Sequence, residues 1–240
     1  MEVKIFIFIT VAIIAIIVIA RSFSKKAIIK RKLKKAGDKR IADFKSGEIA
    51  KIVGNVEFVD DPLIAPLSKR RCSYYYVLVQ QQVSSGKSSH WKTIVEEEVS
   101  GKFVIREDDQ CAFINDNNLK CYIVQDRNYS SGFMHDAEEN LEEYLNSKGH
   151  KSEGFLGMNK TLRYKEGVLE DGEEIAVFGK GEWKNASMLN LPEKYGRVLE
   201  IASTNSEAVY LSDDPGTTKK KVIKKYASSR DYRYERGYKK

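Results

Sequence analysis

The chain opens with sixteen uncharged residues, 5–20, which include eight isoleucines and a single hydroxyl side chain. An apolar run of this kind favours the interior of a bilayer. At about 1.5 Å per residue, the wider stretch 3–23 spans roughly 31 Å, which matches the hydrocarbon core. Residues 1–23 are therefore predicted to form a transmembrane anchor. A cleaved signal peptide and a buried helix of a soluble domain are the alternatives.

Apolar residues then recur at helical spacing among lysines. Ile29, Leu33 and Ala36 lie at i, i+4 and i+7, and Gly37 is placed to end a helix. Residues 24–45 are predicted to form a basic juxtamembrane helix or linker on anionic lipid headgroups, with a solvated stalk as the alternative. The candidate membrane-surface residues are Lys25, Lys26, Lys30, Arg31, Lys32, Lys34 and Lys35.

From residue 46 the pattern changes to short runs rich in Val, Ile, Tyr and Phe, separated by Gly, Asn, Asp and Pro. This pattern predicts a β-rich domain over 46–212. The expected fold class is mainly β with one helix (α+β), as a small, partly open OB-like barrel or a sandwich behind a single transmembrane helix. The strands are expected at 49–59, 72–83, 91–99, 103–105, 111–114 and 120–124, with further strands in 155–179 and the last two in 197–211, and the helix within 135–150.

Charge is divided unevenly along the chain. Residues 21–45 contain 11 basic and 2 acidic residues and residues 217–240 contain 10 and 2, whereas 46–216 contain 19 and 29. Because positive flanks stay in the cytoplasm, the N-terminus is predicted outside and the domain cytoplasmic; an exported domain is the alternative. A folded part with an acidic excess is not expected to bind nucleic acid.

Residues 213–240 are predicted to be a basic, disordered tail that also contains Tyr226, Tyr232, Tyr234 and Tyr238. Nonspecific membrane contact is the favoured role for such a tail. A protein partner, bound by the tail or by the β-rich domain, is second, and single-stranded nucleic acid is the least favoured. The partners expected are thus the bilayer, its anionic headgroups and a protein.

No motif of a catalytic class is present. Cys72, Cys111 and Cys121 are odd in number and widely spaced, which favours reduced, buried thiols over disulfides or a metal site. The GKS at 86–88 lacks the first glycine of a phosphate-binding loop. We therefore predict no catalytic residue, no metal and no cofactor, and favour a non-catalytic role over an enzymatic one.

Candidate binding residues occur in two clusters. In the first, residues 53–79, Pro62 and Pro66 deny helix to the apolar residues between them, which form either core or a groove. Three tyrosines follow at 74–76 and alternate between the faces of one strand, so that one set should be buried and the other exposed. The candidates from this cluster and just after it are Pro62, Leu63, Pro66, Tyr74, Tyr75, Tyr76, His90 and Trp91.

The second cluster, residues 163–179, reads RYKEGVLEDGEEIAVFG. Its candidates are Arg163, Tyr164 and Glu166. We expect Arg163 and Glu166 to form an internal ion pair that sets the strand register, rather than a reactive pair. Gly172 is expected to supply the positive φ of the turn that follows.

These two clusters behind a leading anchor resemble the GIDE domain, also called the beside-a-membrane (BAM) domain, over roughly residues 45–212. That domain belongs to E3 ubiquitin ligases of mitochondrial and chloroplast outer membranes and to their prokaryotic relatives. The resemblance implies a ligase-like setting. The ligases, however, carry a RING with eight Cys or His zinc ligands, whereas this sequence has three of each. Zinc-dependent recruitment of a ubiquitin-conjugating enzyme is therefore not expected of this polypeptide.

The function favoured by these observations is a single-pass membrane-anchored, non-catalytic GIDE-like binding or scaffold module at the cytoplasmic membrane face. The alternative is an accessory subunit of an enzyme, including a ubiquitin-ligase-like assembly whose catalytic part is another chain.

Overall fold

The structure is a computed structural model. It describes residues 24–116, 119–131, 138–152 and 160–219, together with Phe6, Ile9 and Thr10; the side chains of residue 85 and residues 127–131 are not described. The predicted anchor, apart from those three residues, and the tail from residue 220 lie outside the described part. Within the described part, no helix has both the length and the apolar character needed to span a bilayer.

The described residues form mostly strands, with a few short helices between and around them. In chain order the elements are α1 (Lys25–Lys35), a 3-10 helix (Ile41–Asp43), β1 (Ile49–Phe58), β2 (Leu63–Ile64), β3 (Arg71–Cys72), β4 (Tyr74–Ser85), β5 (Ser88–Ser100), β6 (Phe103–Glu107), β7 (Gln110–Ile114), β8 (Leu119–Tyr122), β9 (Arg127–Ser131), α2 (Glu139–Ser147), β10 (Leu162–Leu169), β11 (Glu174–Asn185), two 3-10 helices (Ala186–Leu189 and Glu193–Tyr195), β12 (Arg197–Ala202), β13 (Val209–Ser212) and α3 (Pro215–Thr218).

A closed barrel of five strands is the body of the fold. β1, β6, β7, β12 and β11 form a ring, because β1 pairs with β6 on one side and with β11 on the other. Within the ring only β7 and β12 run parallel. The interior is filled by fully buried aliphatic residues, including Ile52, Ile105, Ile175 and Leu199. At Gly179 of β11 a Cβ would lie 2.6 Å from a side-chain carbon of Ile201 in β12. Glycine therefore allows the close approach of these two neighbouring strands.

Two further layers surround the barrel. β13 and β8 extend the barrel sheet beyond β11, which makes β8 an edge strand. A separate sheet has the order β5-β4-β10-β9, and α2 covers one of its faces through Leu141, Tyr144 and Leu145. Its other face is directed toward the barrel. The small ribbon β2–β3 connects β1 to this second sheet.

The basic helix α1 packs against the barrel sheet. Its apolar face, Ile29 and Leu33, is buried among Val53, Phe178 and Tyr210 of the sheet. At the C-terminal end of the described chain, two residues separate α3 from β13, and the last residues of the helix, 217–218, are buried as well. The packed unit therefore includes residues on both sides of the 46–212 range that the sequence pattern delimits.

A buried ion pair joins these flanking segments to the barrel. Lys51 of β1 is 1% exposed, and its Nζ lies 2.7 Å from Asp38 Oδ1 and donates to the carbonyl oxygen of Thr217 at 2.8 Å. Asp38 belongs to the segment after α1, and Thr217 belongs to α3. One ammonium group thus binds the two ends of the packed chain to the central strand.

The mainly β class with few helices is confirmed, and so is the barrel, which is closed rather than partly open. Other local predictions were less accurate. The expected strand over 72–83 breaks at Ser73, and the hairpin after β4 turns at Gly86 and Lys87 alone. β9 was missed, because its sequence RNYSS lacks the apolar alternation that identifies a half-buried strand.

We predict that Lys51→Met destabilises the fold strongly. It leaves the mostly buried carboxylate of Asp38 without its counter-ion, and breaking one partner of a buried pair costs about 3–5 kcal/mol. Lys180→Met is the matched control, because Lys180 pairs with Glu182 at the surface and such pairs contribute about 0–1 kcal/mol. Urea unfolding of both variants measures the difference, and equal losses would contradict the prediction.

Candidate functional site

The three consecutive tyrosines of β4 alternate between the two faces of the second sheet, as the strand pattern predicts. Tyr74 and Tyr76 lie on the face toward the barrel, and Tyr75 lies on the face covered by α2. Neither set is exposed: Tyr74 is buried and the other two are half-buried. The expectation that one face would be open was wrong, because this sheet packs between a helix and the barrel.

A cleft of about 410 Å³ separates the second sheet from the edge of the barrel sheet. We call it the tyrosine cleft. Strands β4, β5 and β10 supply one wall, and β8 with the residues after it supplies the other, while the first turn of α1 lies at the side. The lining residues are Lys25, Lys26, Tyr74, Tyr76, Glu96, Glu98, Cys121, Tyr122, Ile123, Gln125 and Lys165.

Strand register brings the polar part of this lining together. Tyr76 is opposite Glu98, and Leu78 is opposite both Glu96 and Lys165. Directly opposed residues point to the same face of a sheet, so these side chains share the face toward the barrel. The Tyr76 hydroxyl donates to Glu96 Oε1 at 2.9 Å. Burial, and then this carboxylate, raise the pKa of Tyr76, so its hydroxyl stays a hydrogen-bond donor at neutral pH.

The helix side of the tyrosine cleft contributes positive charge. Lys25 Nζ lies 3.1 Å from Glu98 Oε2, and Lys26 Nζ lies 4.7 Å from the centre of the Tyr122 ring. Lys165 comes from β10 and lies in the wall formed by the second sheet. Two carboxylates and three ammonium groups therefore share one cleft with three tyrosines.

A second cleft, of about 490 Å³, adjoins the first, because Tyr74 and Glu98 line both. Its remaining walls combine apolar side chains, Phe103, Phe113, Ile114 and Leu119, with the polar Ser100, Lys102 and Asp116. A continuous depression of mixed character thus runs along the edge of the barrel sheet.

Two more predicted residues lie together on the outer part of the second sheet. The Arg163 guanidinium stacks 4.2 Å from the Trp91 ring, and its Nε donates to Gln80 Oε1 at 2.8 Å. His90 is exposed near the turn of the hairpin and is not part of the tyrosine cleft. Tyr164 is buried under α2 and serves as core.

The predicted ion pair between Arg163 and Glu166 does not form. Residues three apart on a strand point to opposite faces, so the two side chains diverge. Glu166 is instead fully buried and accepts hydrogen bonds from the backbone N–H groups of Leu67 at 2.9 Å and Ser68 at 3.0 Å. It holds the turn after Pro66 against β10, which is a structural role.

The segment between the two prolines mostly covers the core. Pro62, Leu63 and Pro66 are half-buried, and Ala65 is fully buried, whereas Ile64 is 53% exposed. Of the two alternatives for this stretch, core and groove, the burial favours core. The positive φ of Gly172, +80°, is as predicted.

The thiols do not have the character of nucleophiles. Cys72, Cys111 and Cys121 are all buried, as predicted, and burial raises the pKa of each, that of Cys72 to about 11. A nucleophilic cysteine needs a lowered pKa. Among the residues that the structure describes, no three His, Cys, Asp or Glu side chains converge as metal ligands would.

Six of the seven cations of α1 fall into two groups, and the seventh, Lys26, is exposed and lies over the Tyr122 ring. Lys25, Lys30 and Lys32 form ion pairs with Glu98, Asp214 and Glu207 of the domain. Arg31, Lys34 and Lys35 are exposed, and the Lys34 side chain lies beside Gly216 of α3. Sequence spacing alone does not separate the two groups, because the acidic partners come from distant parts of the chain.

Sequence analysis missed Glu96, Glu98, Tyr122 and Lys165. The alternation in β5 puts Glu96 and Glu98 on one strand face, which is a usable signal. Their meeting with Tyr122 and Lys165, however, depends on the pairing of strands far apart in sequence.

A buried carboxyl lies between β13 and α3. Asp213 is 8% exposed, and its two oxygens accept from the backbone N–H of Val124 at 2.8 and 3.1 Å. Burial is the main cause that raises the pKa of Asp213 to about 7, and the neighbouring carboxylates of Glu173 and Asp126 raise it further. The group therefore titrates near neutral pH.

We predict that Asp213 makes the fold less stable as pH rises. Its folded pKa exceeds its unfolded value, so its contribution is fully present below about pH 4 and is lost as pH rises toward 7. At about 1.4 kcal/mol per pKa unit the effect is at most a few kcal/mol. Unfolding free energies from pH 4 to 8 should therefore fall less in Asp213→Asn than in the parent protein. Asp60→Asn, at an exposed position, is the control, and an unchanged slope in Asp213→Asn would contradict the prediction.

Comparison with known proteins gives no relative from which a role could be taken: no protein-family model, no curated protein and no solved structure matches this chain. A function for this chain is therefore proposed from its own residues.

Proposed function

We propose that this chain is a single-pass membrane-anchored, non-catalytic binding module, GIDE-like with an OB-like barrel, whose β-rich domain lies on the cytoplasmic face of the bilayer. The observation that carries the proposal is the division of cations on α1, in which Lys25, Lys30 and Lys32 pair with the domain and a second group is exposed.

The place of α1 in the chain supports this proposal. The helix begins at Lys25, directly after the apolar stretch, and Ser24 caps it by accepting from the Ala27 N–H at 3.3 Å. Its apolar face is buried on the barrel sheet, so only a few residues of chain separate the apolar stretch from the packed domain. A domain joined in this way would be held within a few residues' length of the bilayer surface.

The charge of α1 indicates what the helix would contact there. Since Ile29 and Leu33 already pack on the barrel, they are not available to insert among acyl chains. Contact through Arg31, Lys34 and Lys35 is therefore electrostatic. Each such residue near an anionic surface contributes about 1 kcal/mol, falling off within a Debye length.

The chemistry of the clefts supports binding over catalysis. The hydroxyls of Tyr74 and Tyr76 have raised pKa values, that of Tyr76 donates to Glu96, and the Cys121 thiol is buried with a raised pKa. Such groups orient a bound molecule rather than attack it.

We predict that the full chain resists extraction from membranes by carbonate and has a single orientation. The native cysteines are buried, so an introduced thiol at the exposed Ser187 reports the side on which the domain lies. Ser187→Cys should react with an impermeant maleimide only after the cells are permeabilised, whereas Glu2→Cys should react in intact cells. Labelling of Ser187→Cys in intact cells would contradict the predicted orientation.

We predict that the exposed cations of α1 provide the salt-sensitive part of membrane binding. In residues 24–240, without the apolar stretch, the triple change Arg31→Gln, Lys34→Gln and Lys35→Gln should weaken binding to anionic vesicles roughly 100-fold, at about 1 kcal/mol per charge. Cosedimentation with vesicles of graded anionic content measures this.

The matched control removes the same charge from exposed positions on other elements, with Lys87→Gln, Lys92→Gln and Lys194→Gln. Circular dichroism confirms that each protein is folded. Equal weakening by the two triple changes would reduce the effect to net charge and contradict a specific role for α1.

A further inference from the structure

We propose that the tyrosine cleft binds a phosphate–ammonium zwitterion, the chemistry carried by phosphoethanolamine and phosphocholine headgroups. The juxtaposition that carries this is the presence of both signs of charge, on β5, β10 and α1, around one cleft lined by tyrosine side chains.

The charges of the lining select against simpler ligands. An anion alone would meet Glu96 and Glu98, and a cation alone would meet Lys25, Lys26 and Lys165. A molecule that carries an ammonium and a phosphate on a two-carbon link can satisfy both groups at once. The cleft volume of about 410 Å³ is sufficient for such a headgroup.

The ammonium end of the ligand fits the wall formed by β4 and β5. An ionised carboxylate offers about four lone-pair sites, and Glu96 uses one of them for the Tyr76 hydroxyl. Across the cleft, the Lys26 ammonium already lies over the ring of Tyr122 at 4.7 Å and so takes this ring from a second cation. A quaternary or primary ammonium would therefore bind at the carboxylate of Glu96 on β5.

The phosphate end of the ligand fits the lysines. Lys165 comes from β10 and Lys26 from α1, so the two ammonium groups approach from separate elements. Lys25 is less available, because it pairs with Glu98. The docking of α1 on the barrel sheet thus completes the anion-binding side of the site.

The position of the cleft points to a lipid as the source. Lys25 and Lys26 follow the apolar stretch by only a few residues, so the cleft opens close to where the chain would leave the bilayer. This lipid source rests on the proposed function, whereas the ligand chemistry does not.

The ligand chemistry is tested first with water-soluble probes. Full-length protein in maltoside micelles is titrated with glycerophosphoethanolamine and glycerophosphocholine, and separately with glycerol phosphate and with ethanolamine, by ligand-observed NMR. We expect each zwitterion to bind roughly tenfold or more tightly than either half. Equal binding of the halves would overturn the proposal.

Variants in the lining then locate the site. Glu96→Gln and Lys165→Gln should each weaken zwitterion binding roughly tenfold, since each removes a charge-assisted contact. Glu174→Gln and Lys92→Gln remove exposed charges away from the cleft and should leave binding unchanged. Tyr76→Phe removes only the hydroxyl that orients the Glu96 carboxylate, with little risk to the fold, and should weaken binding less than Glu96→Gln does. Binding that all three cleft variants leave intact would overturn the assignment.

The source is decided in nanodiscs. Full-length protein is placed in mixed zwitterionic and anionic lipid, and the lipids retained on release are identified by native mass spectrometry. Enrichment of zwitterionic lipid that Glu96→Gln abolishes supports a headgroup ligand. Binding of the soluble probe without such enrichment supports a free zwitterion and overturns the lipid source alone. Loss of membrane integration in the carbonate assay would affect the proposed function and not the probe binding.

Discussion

The attachment of α1 to the barrel is the constraint on which the rest of the structure depends. A helix with a cation at most positions would leave the domain free if its two buried residues, Ile29 and Leu33, did not pack on the sheet. The ammonium of Lys51 extends this attachment by binding both Asp38 and the carbonyl of Thr217. Because a buried charge is costly without its partners, the two flanking segments and β1 are held together as one unit.

The tyrosine cleft is a consequence of this arrangement. The closed barrel buries its own apolar interior, and the second sheet buries one face under α2, so the remaining sheet face meets the barrel edge beside α1. Polar and charged side chains occupy that junction because it stays accessible to water. The charged lining is tolerable there, since each ammonium or carboxylate has a partner or solvent within reach.

The fold was predictable where a local pattern had a single physical meaning. Alternation and turn residues located β1, β6, β7 and β13 closely, and the burial of the cysteines followed from their number and spacing. The candidate site was predictable only in part. Tyr74 and Tyr76 were identified, but Glu166, expected to pair with Arg163, instead holds the turn after Pro66. Spacing along one strand does not reveal which distant backbone donors its side chains meet.

The sequence by itself determined the β-rich character, the division of charge between flanks and domain, and the reduced state expected of the thiols, because composition and short-range periodicity decide these properties. Only the tertiary structure decided that the barrel closes through β1 and β11, that α1 belongs to the domain, and which of its cations remain exposed. Strand pairing and ion pairing join residues more than a hundred positions apart, and such contacts are selected by the packing of the whole chain.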